Sequence, residues 1–158
     1  MKTRSNIQAL VSPAGLAEIV CAIAGRPDRW LDLLRFEADD RWYVRLERSE
    51  GHEVWLLTWL PGQQTGFHDH GESAGAFAVA SGCLTEEAAA TGQAAAAGRK
   101  VRTGAVRSFG SHYVHNVRND LTERAVSIHA YSPPLTSMRR YDLTDSGLLR
   151  ATAEERSW

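Results

Sequence analysis

The sequence predicts a mainly β protein, an antiparallel sandwich or barrel preceded by short N-terminal helices. Helical periodicity is confined to the first 35 or so residues, and short runs rich in Val, Ile, Leu, Trp and Tyr follow between Gly-, Ser- and Asn-marked turns. That rhythm of short strands belongs to antiparallel folds and not to βαβ units. In order, Ser12 before Pro13 signals a helix start, with Leu16, Ile19, Val20 and Ile23 on one stripe and Gly25 as the stop. A second short helix is expected from Pro27 through Trp30, Leu31 and Leu34, so the helical part spans 12–35. Trp42 to Leu46 and Val54 to Leu60 then flank Ser49-Glu50-Gly51 as a hairpin. Ala76 to Ala80, a stretch around His112 to Asn116, and Ser127 to Tyr131 read as further strands, with a last strand at Met138 to Tyr141. The β part thus runs from about 41 to 145 of a single 1–158 domain. The alanine-rich run Ala88 to Ala97 is expected as a surface loop, and the tail from Ala151 to Trp158 as frayed.

Composition narrows the function. A chain of 158 residues, 43 % hydrophobic, suits one domain with a real core. A net charge of −1 with scattered basic residues points to neither nucleic acid nor a membrane surface, which leaves small-molecule chemistry. Cys21 and Cys83 are too few for a disulfide framework, and no apolar stretch follows Met1 to Asn6. A reducing, cytoplasmic setting is the expectation. Oligomeric state has no signature in the pattern.

Five of the six histidines lie between positions 68 and 129. On a strand, side chains alternate, so His68 and His70 share a face and Asp69 takes the other. Two imidazoles on one face make half a metal site, although a lone His-x-His also occurs on solvated surfaces. Ser127, His129 and Tyr131 likewise share one face, either as a joint set or as separate polar residues. Arg45, taken alone, reads as a solvated charge on a strand.

The spacing of Gly62, His68, His70 and Gly82, followed by His112 and Asn116, resembles the two motifs of the cupin superfamily. Where cupins usually carry a glutamate ligand, this chain has Gly75. The string Ser127-Ile128-His129-Ala130-Tyr131-Ser132-Pro133-Pro134 further resembles the type I cysteine dioxygenases, a thiol dioxygenase branch of the cupins. The likeness covers roughly Arg41 to Pro134. It implies a cupin-type antiparallel β-barrel or jelly roll with His68, His70 and His112 as ligands of Fe(II). His115 is the rival third ligand, and His112 is preferred for its four-residue step to Asn116. It also implies a polar set of Ser127, His129 and Tyr131 beside the metal, with Arg45 holding the substrate carboxylate and Tyr43 beside it. In the family a cysteine at the position of Gly75 crosslinks to the active-site tyrosine. Tyr131 is therefore expected as an unmodified phenol, in a slightly wider pocket.

The implied activity is Fe(II)-dependent addition of both O2 atoms to the sulfur of a small thiol, L-cysteine giving cysteine sulfinate. Three neutral imidazoles in place of two and a carboxylate raise the charge at the metal and favour a thiolate. A different thiol such as 3-mercaptopropionate or a bulkier sulfur-containing amino acid stays open. So do a zinc-type hydrolase or isomerase, since three imidazoles also suit Zn, Ni or Mn, and a non-catalytic ligand-binding cupin.

Overall fold

The computed structural model describes residues 9–89, 94–147 and 149–156. Met1 to Asn6, the middle of the alanine-rich run at Ala90 to Gln93, and Trp158 lie outside that range. Helix α1 (Pro13–Ala24) starts where Ser12 Oγ accepts the Gly15 N–H at 3.1 Å, and Pro13 fills a position whose N–H needs no partner. Its stripe of Leu16, Val20 and Ile23 is buried, each side chain contributing roughly 1.5–3 kcal/mol of apolar burial. The expected second helix is two separate 3-10 turns, Pro27–Arg29 and Leu31–Leu33, around buried Trp30.

Eleven strands follow among the described residues: β1 (Tyr43–Arg48), β2 (Glu53–Trp59), β3 (Phe67–His68), β4 (Ala74–Ser81), β5 (Cys83–Ala89), β6 (Arg99–Arg102), β7 (Val106–Phe109), β8 (Val114–Arg118), β9 (Ala125–Ser132), β10 (Met138–Leu143) and β11 (Leu149–Glu155). They form two antiparallel sheets, ordered β1-β2-β9-β4-β7 and β11-β10-β3-β8-β5-β6. This is the expected antiparallel architecture. The tail differs from expectation: β11 pairs with β10 from Leu149 to Glu155, so the sheet continues past residue 145.

Strand β9 explains how the fold builds its interior. Every residue of it is buried, because one face lies against the helix and the other against the opposite sheet. Val126, Ile128 and Ala130 pack with Leu16, Val20 and Ile23 of α1 and with Val54 and Leu56 of β2. The alternate residues Ser127, His129 and Tyr131 therefore point between the sheets, where Trp59, Phe77, Val79, Leu84 and Val117 form the second apolar cluster. Three polar side chains on the inner face of a central strand need partners there, since a buried polar group without one is costly.

Candidate metal centre and cavity

The His68-Asp69-His70 segment is fixed by the residue between the two imidazoles. Asp69 is buried and faces away from them, with Oδ1 accepting the N–H groups of Gly71 at 3.0 Å and Arg139 at 3.2 Å. Its Oδ2 accepts the Tyr141 hydroxyl at 2.7 Å. The short strand β3 sits between β10 and β8, and its register sets His68 directly opposite His115. Side chains so placed share one face.

His68, His70 and His115 are all buried and offer one nitrogen each, mutually within 4.8 Å. His68 Nδ1 lies 2.9 Å from the Gly66 carbonyl and His115 Nδ1 lies 3.0 Å from Glu86 Oε1. Both Nδ1 atoms face acceptors and so carry the proton, which leaves each Nε2 lone pair for the centre. The Nε2 atoms of His68 and His70 are 3.1 Å apart. Two nitrogens bound at ~2.1 Å to one ion would be separated by roughly 3.0–3.4 Å at octahedral to tetrahedral angles. Burial, and then the neighbouring imidazole positive charge, lowers the pKa of His68 and His70 well below the usual histidine value. Neutral imidazoles are the form that ligates. A transition metal fits this donor set.

The third position corrects the sequence expectation. His112 stands in the turn before β8 with φ 61°, 58 % exposed, and its Nε2 pairs with Glu72 at 3.0 Å. It points to solvent and takes no part in the cluster. The four-residue step used to choose it also joins His115 to Asn119, and Asn119 is fully buried, donating to the carbonyls of Trp59 at 3.3 Å and Glu123 at 2.7 Å. Spacing alone could not separate the two pairs, whereas strand phase does.

Glu86, on β5, was not singled out from the sequence. Its buried carboxylate receives His115 Nδ1, Arg107 Nε at 2.8 Å and the Tyr113 hydroxyl at 3.0 Å. Burial opposes its charge, but the hydrogen bonds and charges of His115 and Arg107 prevail and bring its pKa to about 2. Its own burial, and then the same carboxylate, push the Tyr113 phenol up to about 12. Such a carboxylate behind an imidazole fixes its tautomer and ring orientation.

A cavity of about 400 Å³ opens beside the cluster, walled by His68, His115, His129, Tyr131, Tyr43 and Trp55 together with two arginines, Arg41 and Arg140. On its β9 wall, Ser127 Oγ lies 2.7 Å from His129 Nε2, and His129 Nδ1 lies 3.5 Å from the Tyr131 hydroxyl. Trp59 Nε1 donates to Ser127 Oγ at 2.9 Å. His129 stacks on Phe77 at 5.1 Å, and burial lowers its pKa to about 3. Burial likewise raises the Tyr131 phenol above its usual value. The set is therefore neutral at physiological pH.

Arg45 is a second correction. Its guanidinium lies over Trp55 at 5.5 Å and 3.8 Å from Glu53 Oε2, which Arg48 shares at the same distance. Both guanidinium groups are set against the buried Glu53 carboxylate, and Arg45 does not line the cavity. The region beside Gly75 departs from expectation as well. A Cβ there would lie 2.5 Å from Phe109 Cε2, so Phe109 already fills the room a side chain would take and the pocket is not widened.

Two facing antiparallel sheets with three imidazoles converging between them define a cupin-type barrel with a three-histidine site. The family profile of cysteine dioxygenase type I matches residues 6–144, and the chain belongs to that family. It is 32 % identical over 130 residues to the cysteine dioxygenase type 1 of Danio rerio, an alignment that covers 73 % of this chain and 63 % of the relative. Among solved structures it resembles TT1209 from Thermus thermophilus, with a TM-score of 0.58 at 20 % identity over 66 % of this chain and 93 % of the other. It also resembles an RmlC-like cupin from Desulfovibrio desulfuricans, with a TM-score of 0.55 at 21 % identity over 65 % and 91 %. These likenesses bear on the fold. No helix among the described residues is long and apolar enough to cross a membrane.

Proposed function

We propose that the protein is an iron-dependent thiol dioxygenase that adds both atoms of O2 to the sulfur of a small thiol, first among them L-cysteine, giving the sulfinate. The observation that carries this reading is the convergence of His68, His70 and His115 at one end of a cavity whose wall holds the linked side chains of Ser127, His129 and Tyr131. His68, His70 and His115 would hold Fe(II), which when bound supplies an acceptor for the thiolate and a site for O2 beside the sulfur. The family membership and the relative from Danio rerio support the same activity.

The chain's own groups have assignable roles. Trp59 can only donate, so its N–H occupies one lone pair of Ser127 Oγ. With the Ser127 hydroxyl donating to His129 Nε2, the His129 Nδ1–H turns toward the Tyr131 oxygen, and the Tyr131 hydroxyl hydrogen is left to face the cavity. Tyr131, held protonated by burial, is then a donor to oxygen or substrate, while His129 and Ser127 position it. Leu57, Trp55 and Val117 line the rest and limit water.

Oxygen uptake by the iron-loaded protein on adding L-cysteine, with sulfinate identified as product, tests the proposal. Tyr131→Phe should keep the iron and cut turnover, and His70→Ala should lose the iron. Wild-type turnover in both variants, or no oxygen uptake with any small thiol, would overturn it.

A further inference from the structure

The three imidazoles of the cluster are not held alike. His68 Nδ1 meets the Gly66 carbonyl at 2.9 Å and His115 Nδ1 meets Glu86 Oε1 at 3.0 Å, so a hydrogen bond fixes each of these rings from behind. His70 Nδ1 is buried and makes no hydrogen bond with any described residue. Without that tie, the direction in which His70 presents Nε2, 3.1 Å from Nε2 of His68, is left to packing. Two rings supply it. Tyr131 stacks on His70 with centroids 4.7 Å apart and planes at 30°, and Phe109 stacks on it at 5.2 Å and 23°.

Phe109 reaches His70 through a gap in the sheet. Phe109 on β7 and Tyr131 on β9 stand on either side of Gly75 on β4, each directly opposite it in register. Because Gly75 has no side chain, the Phe109 ring lies where one would begin, with Cε2 2.5 Å and Cζ 2.6 Å from the position of a Cβ. On the short edge strand β7, Phe109 is the buried residue, and Val106, Arg107 and Ser108 are partly or fully exposed. The same ring meets His115 edge-on at 5.0 Å and stacks on Tyr113 at 4.7 Å. Tyr113 in turn donates its hydroxyl to Glu86 Oε1, the oxygen that receives His115 Nδ1. Phe109 therefore touches both His70 and His115, together with the tyrosine that braces the carboxylate behind His115.

We propose that Phe109 is a positioning residue of the metal centre: its flat face holds His70 in the ligating orientation that hydrogen bonds give to His68 and His115, and Gly75 is small so as to admit it. The inference rests on the three-histidine metal reading above and requires nothing of the thiol. Stacked rings orient as well as attract, because an aromatic face and an aromatic edge carry opposite partial charge. An aliphatic side chain at position 109 would fill much of the same space and leave His70 free to turn. A donor that must be ordered when the metal arrives binds it more weakly than one already in place.

The test reads metal binding alone, with Co(II) as the probe and neither thiol nor oxygen present. Wild type, Phe109→Leu, the double variant Gly75→Ala/Phe109→Leu and Val79→Ala are compared by chelator competition, by the visible absorption of bound Co(II) and by the urea midpoint of the metal-free protein. Val79, buried in the same apolar cluster, is the packing control. Phe109→Leu should weaken Co(II) binding by roughly tenfold, as loss of a ligand's outer support does, and should alter the Co(II) spectrum. The double variant refills part of the space and should regain stability over Phe109→Leu without regaining affinity or spectrum. Val79→Ala should lose stability, yet keep the wild-type spectrum and an affinity within about twofold. Affinity that returns with stability in the double variant, unchanged binding in Phe109→Leu, or an equal loss in Val79→Ala would overturn the assignment. A wild type that binds no Co(II) would remove the metal centre and this proposal with it. One that binds Co(II) as expected but, loaded with iron, oxidises no thiol would refute the dioxygenase reading and leave the role of Phe109 standing.

Discussion

Gly75→Ala is a one-carbon change whose cost can be worked out. Gly75 lies on β4 between Phe109 of β7 and Tyr131 of β9. Its backbone is ordinary strand, so an alanine there is not strained by conformation. The added Cβ would meet Phe109 Cε2 at 2.5 Å, Phe109 Cζ at 2.6 Å and Tyr131 Cδ1 at 3.1 Å. Carbon atoms pack best at ~3.5–4.0 Å, so the overlap with Phe109 is about 1 Å. Phe109 has little freedom to retreat, since its ring stacks on Tyr113 at 4.7 Å and on His70 at 5.2 Å. Overpacking of this kind costs roughly 1–3 kcal/mol, and the stiffer unfolded chain returns about 0.4–1 kcal/mol. A net loss of about 0.5–2 kcal/mol is expected in urea unfolding at unchanged m-value. Phe109→Leu placed in the Gly75→Ala background should recover part of it, giving a coupling of at least ~0.5 kcal/mol in the double-mutant cycle. An alanine variant as stable as wild type, with no coupling to position 109, would refute the claim that Phe109 occupies that space.

Three further outcomes are expected. Glu86→Gln removes the charge behind His115 and should weaken metal affinity by roughly 10–100-fold in chelator competition, while the Tyr131-side groups stay in place. His129, with a native pKa of about 3 against 6.5 when unfolded, takes its proton first in the unfolded chain. Its contribution is complete above pH 6.5 and lost as pH falls toward 3, about 2 kcal/mol by roughly pH 5, so His129→Phe should flatten that part of the stability profile measured by urea midpoints. Trp59→Phe, which keeps an aromatic ring and deletes the donor to Ser127, should lower kcat with iron content and KM for the thiol little changed. Equal loss of bound iron in that variant would show a general packing defect instead.

How far the sequence could be read depended on which physical signal each part carries. The helix start at Ser12-Pro13 and its buried stripe are local, and so were legible. The alternation of β9 was legible too, because Ser127, His129 and Tyr131 are polar and Val126, Ile128 and Ala130 are not. The third imidazole was not, since His112 and His115 each have an asparagine four residues on, and only the pairing of His68 with His115 across β3 and β8 separates them. Glu86 was equally hidden, for its contact with His115 runs across the barrel with no mark in local spacing. The β10–β11 hairpin was missed because the exposed, polar face of β11 dilutes its strand character.

The proposed chemistry depends on His68, His70 and His115 binding one metal ion together. Oxygen-free titration of Fe(II) into the metal-free protein tests it directly, with His112→Ala and His115→Ala in parallel. Wild type and His112→Ala should each take up one equivalent per chain with the same affinity, and His115→Ala should take up none at the same iron concentration. One equivalent retained by His115→Ala, or lost by His112→Ala, would contradict it.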